Sequence, residues 1–390
     1  MKIAFIGHKR IPSREGGIEI VVDELATRMA ARGNSVVVYN RKGHNVAGAE
    51  FDNEANDNKP YTYKGVQVIP VHTFNMKGLA ALTSSFFATL KAIAARPDVI
   101  HYHAEGPCVM LRLPHWLGIR TVATIHGLDW QRAKWGRFAS AYLKFGERTA
   151  AKCADEVIVL SHNVQQYFRD TYGRETRFIP NGIERGSRLS PRIIAEKYGL
   201  EQNGYVLFLG RIVPEKGLHY LIEAFKRLDT DKKLVIAGGA SDSKEYHEEI
   251  KSLVAGDDRI IMTGFTEGDE LAELFSNAYV YVLPSDLEGM PMSLLEAMSF
   301  GCCCLTSDIP ECTEVLGDHG VTFRKSDVDD LAGKLGALLA NPARVQQLQA
   351  GAADYITGRY SWDSVVDRTL ALYSGRSGYV TSSHREKGTE

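Results

Sequence analysis

The sequence predicts an α/β protein of two doubly wound domains facing each other across a cleft. Three observations predict it. Short β-branched runs alternate with helical patterns almost throughout the chain, as parallel strands joined by helical crossovers do. The alternation stops near residue 180 and restarts near 205. Finally, 390 residues, 44% hydrophobic and 24% charged, exceed what one compact core holds, so two domains are expected. Each is then a Rossmann-like unit, with ligands at the carboxyl ends of its strands and the interdomain cleft as the default site.

The first series begins at Lys2-Ile3-Ala4-Phe5-Ile6-Gly7. Its strands are expected at 2–7, 35–39, 65–70, 98–102, 120–126 and 156–160, and its helices at 17–32, 78–95, 106–117, 135–154 and 161–172. Pro180 and the Asn181-Gly182 pair break regular structure and mark the boundary. The second series begins at Tyr205-Val206-Leu207-Phe208-Leu209-Gly210, with strands near 205–210, 233–237, 259–263, 279–284, 302–306 and 321–323. A last amphipathic helix starts at Tyr360-Ser361-Trp362-Asp363. The domains are therefore 1–180 and 181–360, and the polar, Gly/Ser-containing tail 376–390 is expected to be disordered.

No apolar run approaches the roughly 18 residues of a membrane span. The amino-terminal run is short and lacks a small-residue cleavage site, so it reads as a first strand, and a cytoplasmic protein is expected. Six cysteines fit a reducing compartment, and Cys302-Cys303-Cys304 read as small buried side chains in a strand. No spaced Cys/His pairs point to a metal. The net charge of −2 hides an asymmetry: residues 1–181 carry +8 and the remainder −10. A basic front half suits a membrane surface or a lipid phosphate. Nucleic acid is excluded as a partner, because no basic-aromatic repeat or nucleic-acid motif is present.

Two glutamates eight residues apart carry the most information. Glu288 lies in the loop after the strand 279–284, and Glu296 lies on the helix that follows Pro291. Carboxylates there accept hydrogen bonds from sugar hydroxyls, while free N–H groups at the helix start hold phosphate. In the same domain Arg211 and Lys216 flank a short loop at a strand's carboxyl end. A guanidinium fork and an ammonium point charge can both reach one diphosphate. Gly16 and Gly17 open the first helix and allow close approach of a ligand. There is no G-x-G-x-x-G, which argues against a nicotinamide enzyme. His126 ends a strand before Gly127 and can bond a sugar hydroxyl or a scissile carbonyl, with a purely structural role as the alternative, whereas His101 and His103 share one strand face and read as packing near the cleft. Helix 78–95 reads as core, with a lipid-touching face as the alternative. Trp130 to Arg137 interleaves tryptophans with cations, which suits a membrane interface or an acceptor pyrophosphate.

Together, these motifs resemble the retaining GT-B glycosyltransferases of family 4. The glutamate pair, Gly210-Arg211 with Pro214-Glu215-Lys216-Gly217, Gly16-Gly17, His126-Gly127 and Ile179-Pro180-Asn181-Gly182 carry the resemblance, which covers nearly all of the chain to about residue 375. The front half, in Arg10-Ile11-Pro12 through Glu19 and in Thr124 to Trp130, further resembles rhamnosyltransferase-like enzymes of bacterial capsule and cell-wall polysaccharide assembly. The resemblance implies a donor-binding set of Gly16, Gly17, Glu288, Gly289, Met290, Ser293, Leu294 and Glu296. Glu288 would hold the sugar and Glu296 the ribose, with backbone N–H groups from Met292 to Leu295 on the phosphates. Arg211, Lys216 and His126 would be catalytic, and no metal or other cofactor would be needed. The last helix, 361–375, would cross back onto the first domain. The implied reaction moves a hexose or deoxyhexose, rhamnose among the candidates, from a nucleotide diphosphate sugar to a glycan acceptor on a lipid, with retention. A peripheral position at the inner face of the plasma membrane follows. The alternatives are a sugar-nucleotide epimerase and a non-enzymatic nucleotide-sugar-binding protein. The run Gly301-Cys302-Cys303-Cys304 departs from the small or β-branched residues common in relatives.

Overall fold

The computed structural model describes residues 1–14, 16–42, 59–74, 79–132, 135–239 and 244–375. The tail 376–390, together with Glu15, Gly78, Ala133 and Lys134, lies outside the described residues. Two sheets organise the chain. The first contains β1 (Lys2–Ile6), β2 (Ser35–Arg41), β3 (Tyr61–Tyr63), β4 (Val66–Val71), β5 (Val99–His103), β6 (Arg120–Ile125), β7 (Glu156–Val159) and β8 (Arg177–Phe178), in the order β3-β4-β2-β1-β5-β6-β7-β8. The second contains β9 (Tyr205–Leu209), β10 (Lys233–Ala237), β11 (Ile260–Gly264), β12 (Val280–Leu283), β13 (Cys304–Ser307) and β14 (Gly320–Phe323), in the order β11-β10-β9-β12-β13-β14. All pairings are parallel except β3 with β4. Two Rossmann-like α/β domains are therefore present.

The helices of the first half are α1 (Gly17–Ala31), α2 (Leu79–Ala95), α3 (Arg112–Trp116), α4 (Arg137–Cys153) and α5 (His162–Tyr172). Those of the second are α6 (Ile193–Tyr198), α7 (Leu218–Lys226), α8 (Lys244–Val254), α9 (Gly268–Asn277), α10 (Met292–Ser299), α11 (Pro310–Leu316), α12 (Val328–Leu339), α13 (Pro342–Gln349), α14 (Ala352–Arg359) and α15 (Trp362–Tyr373). In each sheet the connections reverse direction at the first strand: β1 lies between β2 and β5, and β9 lies between β10 and β12. With right-handed crossovers, α1 then covers one face of the first sheet and α2 to α5 the other. The reversal also opens a crevice at the carboxyl ends of β1 and β5, and another at those of β9 and β12.

Both sheets are buried on both faces, which accounts for continuous apolar strands such as Val36-Val37-Val38 and Tyr205-Val206-Leu207-Phe208. α15 lies against α1 of the first domain. Arg32 there reaches Asp363 at 2.8 Å and Asp367 at 2.5 Å, and Tyr373 OH meets His101 Nδ1 at 2.5 Å. The linker crosses the start of α15: Ile183 N–H donates to the Tyr360 carbonyl at 2.7 Å, and Gly182 lies flat on Trp362 with no room for a Cβ.

Four local expectations differ from the structure. β3 was not anticipated; it pairs with β4 through Lys64-Gly65, both at positive φ, a two-residue hairpin turn that a Lys-Gly step only weakly announces. β8, two residues long, is too short for a periodicity signal. The helix expected at 106–117 is a 3-10 turn (Pro107–Leu111) followed by short α3. The strand expected to hold three cysteines begins at Cys304, so Cys302 and Cys303 precede it; both are buried all the same.

Candidate active site in the cleft

The loops that follow β9 and β12 interlock. The Asp286 N–H donates to the Glu215 carbonyl at 2.9 Å, and Gly217, at φ 63, packs onto the Pro284 carbonyl where a Cβ would collide. This brings Lys216 against Glu288. Its ammonium donates to Glu288 Oε1 at 2.6 Å, and the Ser285 hydroxyl donates to the same oxygen at 2.6 Å. Both side chains are largely shielded from solvent, so the pair is well ordered but costly to desolvate. Arg211 opens the same loop and is half-buried. The carboxyl ends of β10 and β11 complete this wall. Gly210 N–H donates to the Ala237 carbonyl, Ile212 N–H to the Gly239 carbonyl and Gly238 N–H to the Gly264 carbonyl. Gly238 and Gly239 are thus part of the wall, although no charged or polar side chain flagged them in the sequence.

Glu296 projects from α10 toward the other domain. Its Oε1 accepts from Arg14 Nη2 at 2.5 Å. Burial pushes the Glu296 carboxyl up from its ordinary range, and Arg14 pulls it back. Arg14 lies in the loop after β1 and is 47% exposed. It was missed because its partner is 282 residues away in the chain. Gly17 begins α1 directly opposite the start of α10; a Cβ there would touch Met292 Cγ at 3.6 Å. Gly16 is the N-cap of α1.

Within α10 the roles divide sharply. The N–H groups of Leu294 and Leu295 both donate to the Pro291 carbonyl, at 3.1 and 3.2 Å. Leu294 is also fully buried by its side chain, so neither its amide nor its side chain is free for a ligand. The first-turn amides of Met292 and Ser293 keep no helical partner. Ser293 Oγ accepts from the Tyr281 hydroxyl at 2.8 Å, leaving its own proton to donate. Met290 is buried, and its Sδ accepts from the linker N–H of Asn181 at 3.1 Å.

The two domains touch backbone to backbone at Gly289. A Cβ there would collide with the His126 carbonyl, and one at Gly127 would lie 3.1 Å from Gly289 Cα. His126 therefore stands at the crossing itself. Its Nε2 bonds His103 Nδ1 at 2.9 Å, and the His103 ring lies 4.2 Å from that of His101, tilted by 37°. Burial lowers His126 to about 4, His8 to about 4 and His101 to about 3, all from 6.5. These rings are neutral at physiological pH, so His126 can donate or accept a hydrogen bond but brings no positive charge. Beside it Arg132 bonds Asp129 at 2.8 Å and reaches Glu215 of the other domain at 3.6 Å. Buried Glu105 adds an acid next to Asp129 and Glu147, and burial pushes it up to about 11, so it is protonated. The cysteines are all free thiols, and among the described residues no cluster of three His, Cys, Asp or Glu could hold a metal.

Two outcomes follow. Gly289→Ala should wedge the crossing apart and lower kcat/KM by about 100-fold; wild-type kinetics in that variant would show that the crossing is not needed. Between pH 6.5 and 5 the unfolded chain binds protons that the buried, neutral histidines refuse, so stability falls as pH falls. His101→Gln should remove about one proton from that slope in denaturant titrations, and an unchanged slope would mean that His101 titrates normally when folded.

The comparisons with known proteins bear on the family and the fold. Residues 15–186 match the family model "Glycosyltransferase Family 4", and residues 192–354 match "Glycosyl transferases group 1". The chain is 27% identical over 331 residues to an alpha-maltose-1-phosphate synthase of Mycolicibacterium smegmatis, covering 76% of this chain and 84% of that protein. It is 26% identical to a D-inositol 3-phosphate glycosyltransferase of Acidothermus cellulolyticus, covering 92% and 85%. Among solved structures it resembles a sucrose-phosphate synthase of Thermosynechococcus elongatus, with TM-score 0.79, 21% identity, and 96% and 98% of the two chains covered. It likewise resembles Anabaena Alr3699/HepE in complex with UDP-glucose, with TM-score 0.78, 18% identity, and 96% and 100% covered. With one model on each domain and the two-sheet architecture common to these neighbours, the chain belongs to the GT-B glycosyltransferases of the group 1 and family 4 type.

Proposed function

We propose that this glycosyltransferase moves a hexose or deoxyhexose, rhamnose among the candidates, from a nucleotide diphosphate sugar to a hydroxyl of a lipid-linked glycan, retaining the anomeric configuration. The setting would be surface polysaccharide synthesis for capsule or cell wall, in the cytoplasm at the inner face of the plasma membrane. One observation carries the reading: Lys216 meets Glu288 on one side of the cleft, while Gly17 faces Met292 at the start of α10 and the His126 carbonyl lies against Gly289 from the other domain. Such a set offers cations and free amides to a diphosphate and carboxylates to the sugars on either side of it.

Without donor, the carboxylates are held by the protein's own cations. On binding, ribose hydroxyls replace Arg14 on Glu296, and donor-sugar hydroxyls share Glu288 with Ser285. Lys216 then turns to the diphosphate beside Arg211, and the amides of Met292 and Ser293 cover its oxygens. The neutral His126 bonds a hydroxyl of the donor sugar. Glu288 is read as an acceptor for donor-sugar hydroxyls beside Ser285 and not as the carboxylate nucleophile of a double displacement. The transfer is therefore read as same-face attack. The bond from the anomeric carbon to the diphosphate breaks, the acceptor oxygen bonds from the same side, and its proton passes to the departing phosphate. Arg211 and Lys216 stabilise the negative charge that builds there, so no metal is required in this scheme.

A panel of nucleotide diphosphate sugars, assayed with a lipid-linked acceptor for nucleoside diphosphate release and by NMR of the new linkage, tests the reading. Donor consumption without a glycosidic bond, or an inverted linkage, would overturn it. Lys216→Ala should lower kcat by about 100-fold or more and weaken donor binding far less; an unchanged kcat would remove Lys216 from the transition state.

A further inference from the structure

We infer that the outward side of α4, with the neighbouring surfaces of α3 and α2, is a docking face for an anionic lipid bilayer. The inference rests on the membrane-side reading above and gives it an address. Among the described residues nine large hydrophobic side chains are exposed, and six of them belong to this one layer: Phe86, Leu90, Trp116, Leu117, Phe138 and Phe145. Phe138 is 88% exposed and Trp116 73%. Isolated exposed apolar residues need no explanation, but a cluster on one face does.

The charges on this face have one sign. Arg137, Ala141, Lys144, Phe145, Arg148 and Lys152 are all exposed on α4, and at 100° per residue they fall within an arc of roughly 100°. The only acid of α4, Glu147, points inward, where it accepts from Trp130, Tyr167 and Tyr172. Arg112 of α3 stacks on Phe145 at 4.9 Å, and Lys144 lies over Trp130 at 3.8 Å. Cations stacked on aromatic rings can sit at the headgroup level while the rings enter the acyl boundary. A second copy of this chain is a poorer fit, because two such faces would bring like charges together. The topology adds a direction. α4 begins at Arg137, five residues after Arg132, which reaches Glu215 of the other domain, so a bilayer on this face lies near the cleft mouth and can deliver a lipid-linked acceptor to it.

The test is sedimentation of the full chain with vesicles of phosphatidylcholine alone, or of phosphatidylcholine containing phosphatidylglycerol. Binding is expected only to the second kind and should weaken as salt rises. F138S/F145S and R148E/K152E should each reduce vesicle binding by about tenfold or more. None of these four residues lines the donor site, so the nucleoside diphosphate affinity of each variant should stay at the wild-type value and serve as the check on folding. Equal binding to neutral vesicles, or unchanged binding of both variants, would overturn the inference. So would a concentration-dependent dimer in light scattering that F138S abolishes. Normal vesicle binding without sugar transfer would instead count against the proposed reaction and leave the docking face standing.

Discussion

The structure depends on two backbones crossing without side chains between them. Gly127 follows β6 in the first domain and Gly289 follows β12 in the second. Any Cβ at Gly289 would strike the carbonyl of His126, so the domains can approach this closely only because both positions are glycine. Everything else in the cleft is set from that crossing. His126 is carried on one of the two strands of chain, and Glu288 immediately precedes the glycine of the other.

Around the crossing, ion pairs span the gap where the backbones do not. Arg14 meets Glu296 and Arg132 meets Glu215, and farther out a hydrogen bond joins His162 Nδ1 to Glu314 at 2.6 Å. Partly exposed pairs of this kind contribute little to stability. Their importance is positional: charges already gathered at an edge of the cleft can change partners when a charged ligand enters, without creating an unpaired buried charge. Lys216 and Glu288 differ, being well shielded, so removing either leaves the other stranded.

Much of the site was legible because its residues sit close to local signals. Glu288 and Glu296 flank a helix start, Lys216 precedes a left-handed glycine, and His126 ends a strand; such signals are written within a few residues. Leu294 shows the limit of that reading. Its position in the first turn of α10 implied a free amide, but the turn closes early on the Pro291 carbonyl and uses it. Met290, which the resemblance put with the donor-binding set, has its sulfur on the linker N–H of Asn181, a contact that no local pattern announces. Arg14 and Gly238 carried no local pattern at all, since their meaning comes from neighbours far along the chain.

By itself, then, the sequence determined the alternation of strands and helices, the break near residue 180, the burial of Cys302, Cys303 and Cys304 and the chemistry available at each loop. These follow from side-chain periodicity and from backbone preferences, which act over a few residues. Only the tertiary structure decided strand order, and with it the reversals at β1 and β9 that turn separate loops into one cleft. It alone decided that Arg14 would cover Glu296, that glycine would face glycine, and that the cations of α4 would share a face with Phe138 and Phe145 while Glu147 turned inward. Contacts of this kind join residues tens to hundreds of positions apart, and they exist only once parallel strands have been laid side by side and their crossovers have taken one hand.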